Sequence, residues 1–220
     1  MLTDEVFYGV INELKKELLY LTFYFQGEPY LHPRFLDYVS FAAKNGIYTA
    51  TSTNAHYLDA EKAEATVRSG LDRLIISIDG TKQETYESYR VGGSLKKVLE
   101  GTKRMVEARN RLRSKTPHLI FQFLVVRQNE HQVDEVKQLA RELGVDEVVI
   151  KTAQIYDFED GSDLMPENSK YSRYRKGSDG KFQIKNPLLD ECWKMWQGCV
   201  ITWDGKIVPC CFDKDAHHTM

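Results

Sequence analysis

Five β-rich runs alternate with segments of helical spacing along most of this chain, and that alternation narrows its fold more than any other feature. The runs lie near residues 19–25, 47–53, 74–79, 118–126 and 147–153. Between them, apolar residues recur at helical intervals, as in Phe35, Leu36, Val39, Ala42 and Ala43, or Val133, Val136, Leu139, Ala140 and Leu143. Asn45 with Gly46, Gly70 and Gly144 stop three of these helices, Thr81 with Glu84 reads as a capping box, and Asn129 with Gln132 reads as the cap of the helix from Val133. A further helix opens the chain on Val6, Phe7, Val10, Ile11, Leu14 and Leu18, with Asp4 and Glu5 at its positive end. Strands joined by helices through short loops must run parallel with right-handed crossovers. The expected fold is α/β: an open, curved parallel sheet of five strands in sequential order, with helices on its convex face. Five strands are too few to close an eight-stranded barrel.

In such a sheet the C-terminal strand ends form one rim, and ligand sites gather there. The first run ends in Gly27, Glu28 and Pro29, the second in Thr53 and Asn54, the third in Ser77 and Asp79, and the fourth in Gln128 and Asn129. A glycine lets the backbone approach a ligand closely, and the carboxylates and amides supply polar contacts. Each residue also has a plainer role open to it: Asn54 and Asp79 form turns, and Asn129 caps a helix. Thr49, Thr51, Ser77 and Gln122 interrupt otherwise apolar strands, and a buried Gln122 without partners costs about 1–3 kcal/mol. The rim is therefore the expected ligand site.

From Gln154 to Leu189 the periodicity stops, and Gly161, Pro166, Gly177, Gly180 and Pro187 punctuate a polar, aromatic-dotted stretch. It reads as a connection to a small last unit. That unit holds VITW, then Asp204-Gly205, then KIVP, a β-hairpin pattern with a two-residue turn. All four cysteines, Cys192, Cys199, Cys210 and Cys211, fall in this tail, which suits a metal site better than a disulfide framework. Cys192, Cys199 and Cys210 are the candidate ligands, and Cys211 is expected on the opposite strand face. The divisions are thus a core over 1–153, a linker over 154–191 and a cysteine-bearing unit over 192–220. A net charge of −2 with interspersed signs gives no electrostatic case for nucleic acid or an anionic membrane. No apolar run approaches a membrane span and no leader pattern is present, so a cytoplasmic location is expected.

QGEPYLHP resembles the GGEP motif of the radical SAM enzymes, with Gln26 in place of its first glycine. STNAHYL is similar to the same family's TNG segment, with Ala55 in place of glycine, and LIISIDGTKQETYESYRVGGS resembles its SID…YR…GGS segment. Cys192 with Gly205 and Cys210 looks like the opening of the auxiliary-cluster motif of members with a SPASM or twitch extension. The resemblance covers almost the whole chain, with the motifs in order on the expected strands.

It implies a partial (β/α)6 TIM-like barrel that binds S-adenosylmethionine at its rim. The Gly27–Glu28 region would hold the methionine amino group, Ser77 and Asp79 would lie near the ribose, and Arg90 would meet the carboxylate. Thr53, Asn54 and Gln122 complete the implied cofactor set. It further implies a [4Fe–4S] cluster on a Cys-x3-Cys-x2-Cys segment after a first strand. No such triplet occurs in this sequence, so the expectation is a fragment whose cluster ligands lie upstream and whose auxiliary iron–sulfur unit continues beyond residue 220. The implied activity is an oxidoreductase that cleaves S-adenosylmethionine reductively and abstracts hydrogen from a peptide, protein or other substrate. The fragment alone is expected to be inactive. The competing reading is a non-catalytic half-barrel that binds a ligand at its rim and a structural zinc through its cysteines.

Overall fold

A computed structural model of the chain describes residues 1–186 and 191–220. Strands β1 (Tyr20–Thr22), β2 (Tyr48–Thr53), β3 (Arg73–Ser77), β4 (His118–Val125) and β5 (Glu147–Thr152) form one sheet in that order, and each neighbouring pair is parallel. The expected topology holds. β1 is shorter than its apolar run suggests, although Phe23 N–H still donates to Ala50 O at 2.8 Å beyond the strand's end.

Helices α1 (Asp4–Leu14), α2 (Phe35–Lys44), α3 (Ala60–Arg68), α4 (Gln83–Tyr89), α5 (Leu95–Arg111) and α6 (Val133–Leu143) connect or precede these strands. Local chemistry fixes several ends: Asp59 accepts from Lys62 N–H at 2.7 Å at the start of α3, and Gly144 closes α6 in a left-handed conformation. Leu74 and Ile76 of β3 and Leu119, Phe121, Phe123 and Val125 of β4 pack against Val67, Val98, Met105, Val136 and Ala140 of the helices. A second cluster joins Phe7 and Ile11 of α1 to Tyr38 and Ala42 of α2, with Phe7 stacked on Tyr38 at 4.2 Å. Strand alternation puts Ser52, Ile75, Ser77, Gln122 and Val149 on the other, concave face. Gln122 is half-buried there rather than buried, so the expected desolvation cost does not arise.

Two expected caps have other roles. The N-cap of α4 is Lys82, without a side-chain bond, while Thr81 reaches α6: its N–H donates to Gln132 Oε1 at 3.0 Å and its hydroxyl to Glu135 at 2.5 Å. Asn129 caps nothing through its side chain. Its Oδ1 accepts from Val126 N–H at 2.8 Å, and its Nδ2 donates to Asp79 O at 3.0 Å and Leu124 O at 2.9 Å. A long-range tie between strand ends won over a local one.

The aperiodic connection carries an antiparallel pair, β6 (Tyr174–Lys176) with β7 (Phe182–Ile184). It is anchored beside the rim, since Arg127 N–H donates to Leu164 O at 3.2 Å and the Glu130 carboxylate accepts from Glu167 and Asn168 N–H. Pro187, read as a breaker, lies outside the described residues. Beyond it come α7 (Trp193–Gln197) and the antiparallel pair β8 (Val200–Ile201) with β9 (Ile207–Val208). The hairpin is present, but its loop has three residues rather than two: Thr202 N–H donates to Lys206 O at 2.9 Å, and Gly205 takes φ 83° between them. This unit rests on the barrel, with Gly205 beside Val6 and Gln26 Nε2 donating to Lys214 O at 3.1 Å.

Candidate cofactor site at the C-terminal rim

Glu28 organises the rim from the exit of β1. Its Oε1 accepts from Thr53 Oγ1 at 2.8 Å and Tyr30 N–H at 3.2 Å, and its Oε2 accepts from Asn54 N–H at 2.7 Å. The carboxylate therefore binds the end of β2 and caps the short 3-10 turn Pro29–Leu31. Gly27, with φ 82° and open space where a side chain would stand, lets the chain turn into that position. The next turn is equally constrained: Thr53 Oγ1 accepts from Ala55 N–H at 3.0 Å, and Ala55 is held at φ 59°. That φ suits the glycine of the motif Ala55 departs from, and here a buried alanine adopts it.

At the exit of β3, Asp79 is buried to 1% exposure and shares its charge with two partners. Oδ2 accepts from Arg90 Nε at 2.6 Å and Oδ1 from Leu124 N–H of β4 at 2.9 Å. Burial pulls against the Arg90 cation, but Asp79 beside it raises the guanidinium pKa above its ordinary value. Burial likewise pushes the phenols of Tyr86 and Tyr89 up, so both stay neutral donors.

Between the exits of β2 and β3 opens a cavity of about 330 Å³. Asn54, His56 and Tyr57 wall one side, Arg90 and Lys97 bring positive charge, and Val91 to Gly93 form the opposite lip. Its size falls in the range of about 300–1,000 Å³ usual for small-molecule sites. One preset guanidinium, a second cation, an amide and two phenols suit a ligand that carries a carboxylate and polar ring groups.

Of the expected residues, Asn54 and Arg90 line this cavity; Glu28, Thr53 and Asp79 stand behind it as supports. Ser77 and Gln122 are paired across β3 and β4 on the concave face, and Gly27 lies at the exit of β1. His56, Tyr57 and Lys97 are additions: the STNAHYL run contains the first two without marking them as site residues, and only the fold brings residues 54–57 against 90–97. Cys192, Cys199 and Cys211 are exposed and Cys210 is half-buried. No three Cys, His, Asp or Glu side chains converge to hold a metal among the described residues. The fit to prosthetic groups therefore divides. The rim suits S-adenosylmethionine, but with no cysteine before Cys192 it offers no thiolate for a cluster, and the tail thiols are not gathered into one site.

The Radical SAM superfamily profile matches residues 1–140, and the SPASM profile, an iron-sulfur cluster-binding domain, matches residues 192–220. Members of these families bind S-adenosylmethionine and [4Fe–4S] clusters. The chain is 28% identical over 222 residues to a tungsten-containing aldehyde ferredoxin oxidoreductase cofactor-modifying protein of Pyrococcus furiosus, covering 94% of this chain and 62% of that one. It is 32% identical over 155 residues to the PqqA peptide cyclase of Gluconobacter oxydans, covering 70% of this chain and 41% of that enzyme. It thus spans between two fifths and two thirds of these relatives. Among solved structures, Streptococcus suis SuiB bound to S-adenosylmethionine aligns with TM-score 0.57 and 12% identity over 74% of this chain and 36% of its own. Methylornithine synthase aligns with TM-score 0.54 and 18% identity over 77% of this chain and 49% of its own, and both likenesses bear on the fold. No helix among the described residues is long and apolar enough to cross a membrane. With the profile covering β1 to β4 and the rim motifs on the strands where the sequence places them, this chain belongs to the radical SAM superfamily.

Proposed function

We propose that this chain is the S-adenosylmethionine-binding core of an enzyme that cleaves the sulfonium reductively and uses the resulting 5′-deoxyadenosyl radical to abstract hydrogen from a peptide or protein. The observation that carries the reading is the cavity between β2 and β3, where Arg90, oriented by Asp79, faces Asn54 across a ligand-sized space. Arg90 meets the methionine carboxylate through its Nη groups, since Nε is committed to Asp79. Asn54, fixed by Glu28, and the phenols of Tyr57 and Tyr86 supply the remaining polar contacts. The electron comes from a cofactor that the rim residues cannot hold by themselves, so their work is binding and orientation. The peptide assignment is supported by the relative named a peptide cyclase and by the fold shared with SuiB, which has been solved bound to its precursor peptide SuiA. The non-catalytic zinc-bearing half-barrel is the poorer reading, because the family matched over the barrel and the relative named a peptide cyclase point to an enzyme.

Titration calorimetry of S-adenosylmethionine into the chain tests the site. Arg90→Ala is expected to weaken binding by roughly tenfold or more, the scale of one lost charge-assisted contact. Equal affinity in wild type and variant would reject the assignment of Arg90. For the reaction, 5′-deoxyadenosine is measured under anaerobic reduction, with the chain alone and with a longer form that adds a Cys-x3-Cys-x2-Cys segment. Release is expected from the second only, and its absence there would remove the enzymatic reading.

A further inference from the structure

We propose that His56 is a positioning residue that clasps the two walls of the rim cavity, as a neutral ring carrying its proton on Nδ1. Nδ1 lies 2.8 Å from the main-chain carbonyl of Asn54, an acceptor only, so Nδ1 must carry hydrogen. Nε2 lies 2.9 Å from the N–H of Ser94, a donor only, so Nε2 must present its lone pair. The partners fix one tautomer and leave no ring nitrogen for proton transfer, which separates this residue from a general acid or base.

The link spans 38 residues and joins parts of the rim that no strand connects. On one side, the loop after β2 is rigid: Asn54 Oδ1 accepts from His56 N–H at 2.9 Å, and Glu28 holds Asn54 N–H. On the other, Ser94 is the N-cap of α5, and Gln83 of α4 donates to Gly93 O at 2.9 Å and accepts from Leu95 N–H at 2.8 Å. His56 is a hydrogen-bonded bridge between these two braced halves, and the cavity lies between them. Deeper along α5, Arg104 Nη1 donates to Leu58 O at 3.2 Å and Gly101 packs on Ala55, so the imidazole is the tie at the cavity's mouth, where Ser94 meets His56. The second part of the inference rests on the reading of this cavity as the S-adenosylmethionine site: fixing Val91 to Ser94 keeps Arg90 at the distance from Asn54 that the ligand requires.

Three variants separate the clasp from mere bulk. His56→Phe keeps the ring without its polar atoms, His56→Asn keeps a donor near Asn54 but cannot reach Ser94, and His56→Gln can still offer Ser94 an acceptor. Hydrogen exchange of the ligand-free chain, read by mass spectrometry over residues 91–95, is expected to speed up about tenfold or more in the Phe and Asn variants and to stay within about threefold in Gln. Protection of β3 and β4 in the same experiment reports that the variants are folded. In the wild type, ¹⁵N NMR of the ring is expected to show Nε2 unprotonated. Affinity for S-adenosylmethionine is expected to fall about tenfold in Phe and Asn and to recover in Gln. A protonated Nε2, or unchanged exchange in Phe and Asn, overturns the clasp whatever the ligand does. Faster exchange with unchanged affinity overturns its role in positioning. A wild type that binds no S-adenosylmethionine overturns the reading of the site, while exchange and NMR still judge the clasp.

Discussion

Asp79 is nearly sealed from solvent, and what makes its charge tolerable is a divided load: one oxygen on the Arg90 guanidinium and one on the Leu124 amide. Its backbone carbonyl also receives Asn129, so a single residue ties β3 to β4 and to the cation of the cavity. Asp79→Ala is expected to cost about 2–4 kcal/mol in urea unfolding, since it strands a half-buried guanidinium and a half-buried N–H together. Asn129→Ala, which leaves the ion pair alone, is expected to cost about 1–3 kcal/mol through the groups it orphans. Asp146 carries a pH dependence. Burial alone would raise its pKa, but the Arg109 guanidinium and the Leu119 N–H outweigh burial and hold the carboxyl below its ordinary range. A carboxylate depressed in the folded state stabilises above its unfolded pKa, about 3.9, and that stability is lost as pH falls through the folded value. Asp146→Asn is therefore expected to be less stable than wild type by about 1–2 kcal/mol at neutral pH, with the gap closing below about pH 4. A gap independent of pH would show that the loss is packing, not charge.

Helix α5 illustrates how an element shapes the rim from behind. Gly101 faces the loop after β2 so closely that a Cβ would stand 2.5 Å from Ala55 O. Alanine is the better helix former by about 1 kcal/mol, yet Gly101→Ala is expected to destabilise the chain by about 1–3 kcal/mol, because backbone must move to admit the methyl group. The same shift would displace His56, so faster exchange at Ser94 should accompany the loss; a neutral or stabilising outcome would contradict the close approach. The order of the five strands, and the helices between them, were legible because long periodic segments leave few alternatives. The Thr81 and Asn129 capping assignments failed because a local pattern cannot register a partner on another element, Gln132 and Glu135 for the one and Asp79 O for the other. β6 and β7 escaped because three-residue strands show no period, and their Tyr174 is held by a hydroxyl that serves both the N–H and the carbonyl of Ile155. At the site, Asn54 and Arg90 were visible through motif resemblance, whereas His56 acquires its meaning only from Ser94.

At the scale of the whole molecule, the buried apolar residues of both core clusters come from Phe7 to Val145, and among the described residues Val148, Ile150 and Tyr171 are later residues packed against them. The C-terminal hairpin adds a buried Val208, the contact of Gly205 with Val6 and the bond from Gln26 to Lys214 O. Gln26 stands where the motif it resembles has glycine, and that amide gives the cysteine-bearing unit a polar hold on the rim. The ties are few. One buried valine side chain contributes about 1.5–3 kcal/mol and one surface hydrogen bond about 1 kcal/mol or less. Deleting residues 192–220 is therefore expected to lower the unfolding free energy by only about 2–4 kcal/mol, against the roughly 5–15 kcal/mol usual for a folded domain. The shortened chain should still unfold in one cooperative urea transition, with a smaller m-value in proportion to the surface removed. It should also retain the cavity, since no described residue beyond Lys97 lines it, and bind S-adenosylmethionine within about threefold of the full chain. Loss of cooperative unfolding would mean that the barrel depends on its tail, and a large loss of affinity with folding intact would mean that Gln26 and Lys214 transmit the tail's position to the rim.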